Sequence, residues 1–320
     1  MADKHKTPHA EFFEKIFSVK ANTVDFIKGV FPADIVKHLS LSKIKHENIS
    51  YVSDELKRFF SDVVYSCPVK GVDVKVTLLF EHKSYPERRI HLQLIRYMLC
   101  VWEHNERQKE PLSVVVPILV YHGKKKWKKR SMTEYFGKLP ELFKPFIPDF
   151  DYLLADFSAY SDEDFEKRMF SQVPLIIAAS VMKHIFDDSS FDSHLKRLFK
   201  EKKQFFNKTT GHRLLKSLLF YIWEGTKVSE EDISNVLDEL SKEAKEVGMT
   251  TADKLRKEGE LKGELKGKLE GELKGKLKGE LETKLETIKN MLKKDCEWKF
   301  ITDITGITKS KYQKLLKSSK

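Results

Sequence analysis

Residues 59–83 read FFSDVVYSCPVKGVDVKVTLLFEHK. From Val72 the side chains alternate: Val72, Val74, Val76, Leu78 and Phe80 share one face, and Asp73, Lys75, Thr77, Glu81 and Lys83 share the other, with Leu79 the apolar exception. Period two marks a half-buried strand, so Glu81 and Lys83 project from the same face. Val69-Lys70-Gly71-Val72 reads as the turn of a hairpin whose first strand begins just after Asp62. A two-residue loop, pairing Val69 with Val72 or Lys70 with Asp73, puts Asp62 on the Glu81 face, opposite it or one pair away; a three-residue loop upsets that parity. Two carboxylates and a lysine meeting at a strand end can hold a divalent metal and activate a water. An ordinary Glu–Lys pair on a surface hairpin is the alternative.

Outward from this hairpin the pattern is mixed. Residues 9–19 predict a helix with Phe12, Phe13, Ile16 and Phe17 as its apolar stripe, and Thr23 to Val30 a second one that stops at Phe31-Pro32. Glu87 to His104 predicts an amphipathic helix along Ile90, Leu94, Met98 and Val101. Ser113 to Tyr121, SVVVPILVY, has the continuous β-branched character of a buried central strand, with Pro117 marking a candidate bulge. Tyr152 to Phe157 predicts a further short strand. This order is that of an α/β fold with a mixed sheet.

Six segments in order carry a resemblance: HAEFFEKIFS at 9–18, LKRFFSDVVYSCPVKG at 56–71, LLFEHKS at 78–84, LQLIRYMLCVWE at 92–103, PILVYHGKKKW at 117–127 and YLLADFS at 152–158. Together they resemble the recombination-promoting nuclease / putative transposase family of the PD-(D/E)XK nuclease superfamily. The resemblance covers the first half of the chain well and the rest less specifically. It implies a restriction-endonuclease-like αβββαβ core and an endonuclease that hydrolyses double-stranded DNA with little sequence preference, linked to recombination or mobile elements. It implies Mg²⁺ held by Asp62, Glu81 and the backbone carbonyl of His82. Lys83 would orient or deprotonate the attacking water and offset developing charge. The resemblance also adds Gln93, one turn into the following helix, and suggests Glu11 or Glu14 as a further acidic position. The competing reading is a DNA-binding or scaffold protein that keeps the fold without catalysis.

After Tyr121-His122-Gly123 come Lys124, Lys125, Lys126, Trp127, Lys128, Lys129 and Arg130, six cations around an indole. Such a run suits phosphate contact, with Trp127 either stacking on a base or anchoring the loop; a solvated charged loop is the plain alternative. The formal charge of +11 points the same way. Cys67, Cys100 and Cys296 form no CxxC pair and read as reduced thiols. No apolar leader and no apolar run of about 18 residues occurs, so a cytoplasmic protein with no membrane partner is expected.

The expected organisation is a nuclease-like domain over 7–158, a helical region over 159–250, a low-complexity repeat over 251–286 and a small helical hairpin over 287–320. Ser161 to Asp164 and Ser229 to Asp232 fit helix starts, and Pro174 should bend or restart the first helix of that region. In the repeat, glycines recur from Gly259 to Gly279 and leucines from Leu261 to Leu285, every fourth residue. Each interior glycine costs about 1 kcal/mol of helix relative to alanine. The repeat therefore predicts either a solvated spacer or a marginal helix that firms up in a homo-oligomer. The last segment predicts two short helices around Gly306 with Trp298, Ile301, Ile304, Tyr312 and Leu315 as a small core, either a DNA-reading helix-turn-helix or an end cap.

Overall fold

The structure is a computed structural model, and it describes residues 7–47, 63–72, 75–187, 189–226, 228–238 and 240–318. Asp62 and Asp73 lie outside the described residues. The chain divides into two compact units, 1–253 and 254–320.

The first unit is built on a five-stranded sheet in sequence order: β1 (Lys45–Glu47), β2 (Val63–Pro68), β3 (Lys75–Lys83), β4 (Val114–Tyr121) and β5 (Leu153–Asp156). The first three strands are antiparallel neighbours, and β3, β4 and β5 run parallel. The β2–β3 register runs from Val63 opposite Phe80 to Pro68 opposite Lys75. It is the register of the Lys70–Asp73 alternative, and Gly71 takes the positive φ of +79° that such a turn favours. Pro117 causes no bulge in the described pairing. It sits opposite Leu79 in an unbroken ladder, and pairing with β5 begins one residue later, at Ile118.

Helices cover both faces. Helix α1 (Pro8–Phe17) starts with a Thr7 cap and proline in its first turn, and it buries Phe12, Phe13, Ile16 and Phe17. Together with α2 (Lys20–Val30) it packs on the Leu78 and Phe80 face; the Phe17 and Phe80 rings are 5.6 Å apart. Helix α3 (Ala33–His38) leads toward β1. The opposite face, carrying Leu79, is covered by α4 (Ile90–Gln108) through Ile90, Leu94, Tyr97 and Met98. Leu79 is therefore no anomaly: its face is interior too, as strands covered on both sides require.

The helices Val173–His184, Phe191–Glu201 and Thr209–Gly225 add to the same core as α1, through Leu175, Ile177, Phe199, Leu215 and Leu218. Each such side chain, fully buried, is worth about 1.5–3 kcal/mol over exposure. Pro174 stands in the first turn of its helix, where a missing N–H costs nothing. The turn before it, Phe165–Met169, is π-helical, and a Cβ on Gly29 would lie 2.1 Å from the Met169 carbonyl oxygen. Asp25 ties α2 to this junction by accepting from the backbone of Ser171 and Gln172 at 2.8 Å each. The Ser161–Asp164 capping box and the Ser229 cap are both formed.

Residues 242–292 form one helix. In the second unit, Leu261, Leu265, Leu269, Leu273 and Leu277 on this helix are exposed, and Ile288, Ile301, Ile307 and Tyr312 form a small core. Ile304 is exposed, and Ile288 and Ile307 take the interior places instead. The helices Trp298–Thr305 and Lys309–Ser318 meet at Gly306, whose φ of +67° caps the first of them. Among the described residues no helix is long and apolar enough to cross a membrane.

Candidate active site

Period two in β3 delivers Glu81 and Lys83 to the face beneath α4. The Lys83 Nζ lies 2.8 Å from Glu81 Oε1, and the side chains are 11% and 2% exposed. This is no surface pair. Gln93, in the first turns of α4, donates from Nε2 to the same Glu81 Oε1 at 2.7 Å and also contacts the Tyr97 hydroxyl at 2.5 Å. Tyr97 is one turn further along α4, so helix periodicity sets the pair on one face.

The two oxygens of Glu81 are unequal. Oε1 accepts from an ammonium and an amide, whereas Oε2 is buried and has no hydrogen-bond partner among the described residues. Leaving a buried polar atom unmet costs about 1–3 kcal/mol, more when it is charged. A hard cation satisfies such an oxygen, so the donor present fits a magnesium-type ion, which takes one or two carboxylates and retains waters. Asp62, the second expected ligand, lies outside the described residues, and the described pairing stops at its neighbour Val63.

His82 lies between Glu81 and Lys83 in sequence, but its ring is on the other face, 5.1 Å from that of Phe13. Its Nε2 is 2.7 Å from His122 Nε2, and His122 Nδ1 is 2.8 Å from the Met182 carbonyl oxygen. A carbonyl only accepts, so His122 carries its proton on Nδ1 and receives at Nε2 the proton of His82. Burial, with His9 nearby, pushes the His122 imidazole down to about 3; burial, then His122, also holds His82 well below the usual histidine range. Both rings are neutral near pH 7. The His82 imidazole is thus a packed group on the face opposite Glu81. Glu11 and Glu14 belong to α1, which packs on the His82 face.

The β4 end adjoins the β3 end: the His122 N–H donates to the Lys83 carbonyl at 3.1 Å. The chain then passes Gly123, where a Cβ would lie 2.3 Å from the Tyr121 hydroxyl and 2.7 Å from the Ser84 carbonyl, and enters the basic run. Lys124, Lys125, Lys126, Lys128, Lys129 and Arg130 are exposed, and Trp127 is buried. Its indole N–H donates to the Tyr152 hydroxyl at 2.9 Å and its backbone N–H to Asp156 at 2.8 Å. Of the two roles left open by the sequence, Trp127 takes the anchor, fixing a loop whose lysines face water. Lys129 is partnered by Asp151 at 2.6 Å. Replacing Trp127 with Phe should cost about 1–3 kcal/mol, because the Tyr152 hydroxyl loses its buried donor; urea unfolding measures this, and an unchanged midpoint would refute the anchoring.

Residues 7–212 match the family model described as "Putative transposase, YhgA-like". The chain belongs to this family. Among curated proteins it is 28% identical to the recombination-promoting nuclease RpnA of Escherichia coli (strain K12) over 274 residues, 79% of this chain and 85% of RpnA. It is 30% identical to RpnD, a recombination-promoting nuclease of Escherichia coli O157:H7, over 121 residues, 37% of this chain and 46% of RpnD. A third relative, the inactive recombination-promoting nuclease-like protein RpnE of Escherichia coli (strain K12), is 26% identical over 118 residues, 37% of this chain and 40% of RpnE. The chain therefore spans less than half of RpnD and RpnE and most of RpnA. No solved structure matches.

Proposed function

We propose that this protein is a divalent-metal-dependent DNA endonuclease of the PD-(D/E)XK type, acting in recombination. The observation that carries the reading is the partnerless Oε2 of buried Glu81, set beside an ammonium and a polar amide. The names of RpnA and RpnD support it. So does the element order, a helix, three antiparallel strands, a covering helix and a parallel strand, which is the order of a restriction-endonuclease-like core.

Glu81, Asp62 and the His82 carbonyl would hold the ion, and Mg²⁺ is the ion such oxygen donors suit. When bound it would supply charge neutralisation at the phosphate and a water of lowered pKa. The reading requires β2–β3 pairing to continue by one residue, which sets Asp62 across from Glu81. Lys83 then offsets the negative charge that grows as the water oxygen bonds to phosphorus and the P–O ester bond breaks. Gln93 holds Glu81 Oε1 so that Oε2 faces the ion. The exposed lysines beyond Gly123 contact backbone phosphates, which fits double-stranded DNA bound with little sequence preference.

Nicking of supercoiled plasmid tests this. Cleavage should require Mg²⁺, stop with EDTA and fall at least a hundredfold in Asp62→Asn. RpnE, named inactive, favours a second reading in which the fold binds DNA without cutting. Wild-type protein that binds plasmid yet never nicks it under Mg²⁺ or Mn²⁺ would establish that reading instead.

A further inference from the structure

A second cluster of metal-type donors lies where the segment after β5 meets two helices. Asp162 follows the capping serine Ser161; His184 ends the Val173–His184 helix; His194 belongs to Phe191–Glu201. His184 Nε2 is 3.1 Å from each oxygen of Asp162, and His194 Nδ1 is 3.7 Å from Oδ2. One donor atom from each residue lies within 4.8 Å of the others.

The tautomer of His194 is determined by its partners. Arg197 Nη2 is 3.3 Å from Nδ1, and a guanidinium donates only, so Nδ1 bears a lone pair. The hydrogen is then on Nε2, which lies 3.1 Å from the Ser180 hydroxyl; both residues are buried. An imidazole fixed through its far nitrogen, with its near lone pair aimed at a carboxylate, is the arrangement of a metal-bound histidine. Lone pair and carboxylate repel unless a cation stands between them. Arg197 Nη2 now fills that position, 3.0 Å from Asp162 Oδ2. Its side chain is 58% exposed and rises from a helix surface, so it can swing into water without disturbing the core.

We infer that Asp162, His184 and His194 form a cation site separate from Glu81, for a borderline divalent ion such as Zn²⁺, with Arg197 holding the place of the ion. Two imidazoles and a carboxylate are a zinc donor set and leave a fourth position for water. Lys183 Nζ, 3.5 Å from Asp162 Oδ1, opposes a second positive charge there and moderates the affinity. The role is a cross-link, because the three ligands come from three separate segments. It does not rest on the nuclease reading.

Zinc chloride titrated into metal-stripped, full-length Glu81→Gln protein tests the site with the candidate active centre disabled. Calorimetry should show one strong equivalent, and the melting temperature should rise by about 5–10 °C at a hundredfold excess over Kd. His184→Gln and His194→Gln should each weaken binding about a hundredfold or more. Arg197→Ala removes a competing cation from an exposed position and should tighten binding roughly threefold to tenfold. Cobalt in place of zinc should give visible bands of a low-coordinate site, and these should vanish in the histidine variants. If the Glu81→Gln protein and its Arg197→Ala form both fail to bind zinc, or if the folded histidine variants in that background bind as the Glu81→Gln protein does, the cluster is an ion-pair clamp and the inference is overturned.

Discussion

Glu81→Gln should lower plasmid nicking by a factor of about a thousand or more, equivalent to roughly 4 kcal/mol of transition-state stabilisation. The change keeps the volume and the contact with Gln93 and removes the charge. A neutral amide oxygen is a poor ligand for a magnesium-type ion, and the water loses its activating centre with it. Stability should fall, because neutralising one partner of a buried ion pair is destabilising, so nicking is compared at a temperature where both proteins are folded. DNA binding through the exposed lysines should persist, which separates lost chemistry from lost affinity. Lys83→Met should also abolish cleavage while leaving ion binding at Glu81 intact. Cleavage by Glu81→Gln within tenfold of wild type would sink the assignment of this carboxylate, whatever else the protein does.

What made Glu81 and Lys83 legible is that strand alternation is a local property. Residues two apart share a face whatever the sheet does elsewhere, so their pairing follows from 72–83 alone. Gln93 was reachable because one helical turn past a loop is a short extrapolation, and the resemblance pointed there. Leu79 was the hint that the polar face was interior as well, but the sequence could not say that α4 would cover it. The turn residues left two two-residue registers and a three-residue loop open, and the observed pairing decides among them. Trp127 is different in kind: an indole in a basic run is compatible with stacking or anchoring, and the Tyr152 hydroxyl that decides the matter is 25 residues away. Ile304 fits the helical spacing of a small core, yet Ile307, beyond the Gly306 turn, fills that interior because the turn brings it back.

The clusters that no local pattern reveals are the histidine ones. His82 and His122 are separated by 40 residues, and His9 reaches Tyr221 across 212. Each histidine reads alone as an unremarkable side chain in its own segment, and they become groups when parallel strands and packed helices converge. The same holds for Asp162, His184 and His194. Both faces of the β3 end thus depend on buried polar groups: above, a carboxylate whose charge fits a cation; below, a pair of imidazoles that must stay neutral. Proper seating of the His82 ring also keeps Glu81 and Lys83 on their own side, since a slip of one residue in β3 would exchange the two faces.

This second dependence makes the fold acid-sensitive in a definite window. His122 uses both ring nitrogens, Nδ1 toward the Met182 carbonyl and Nε2 toward His82. A further proton on Nε2 would set two donors against each other at 2.7 Å. The native imidazole is held down to about 3, chiefly by burial, against 6.5 when unfolded. Between these values the unfolded chain binds more protons than the native one. The stabilisation is therefore complete above pH 6.5 and is lost progressively as pH falls toward 3. One such proton changes unfolding free energy by about 1.4 kcal/mol per pH unit, or roughly 3 kcal/mol between pH 6.5 and 4. His9 and His82, both also shifted downward by burial first, act in the same direction, as does His194, held down to about 4 by burial and then by His184. Isolating His122 needs a difference: His122→Gln can accept from His82 and does not titrate, so its stability should fall less steeply than wild type's by about 1.4 kcal/mol per pH unit over the window. Urea unfolding at half-unit intervals from pH 7 to 4 measures both slopes, and parallel lines would show that this imidazole is not the acid-sensitive element.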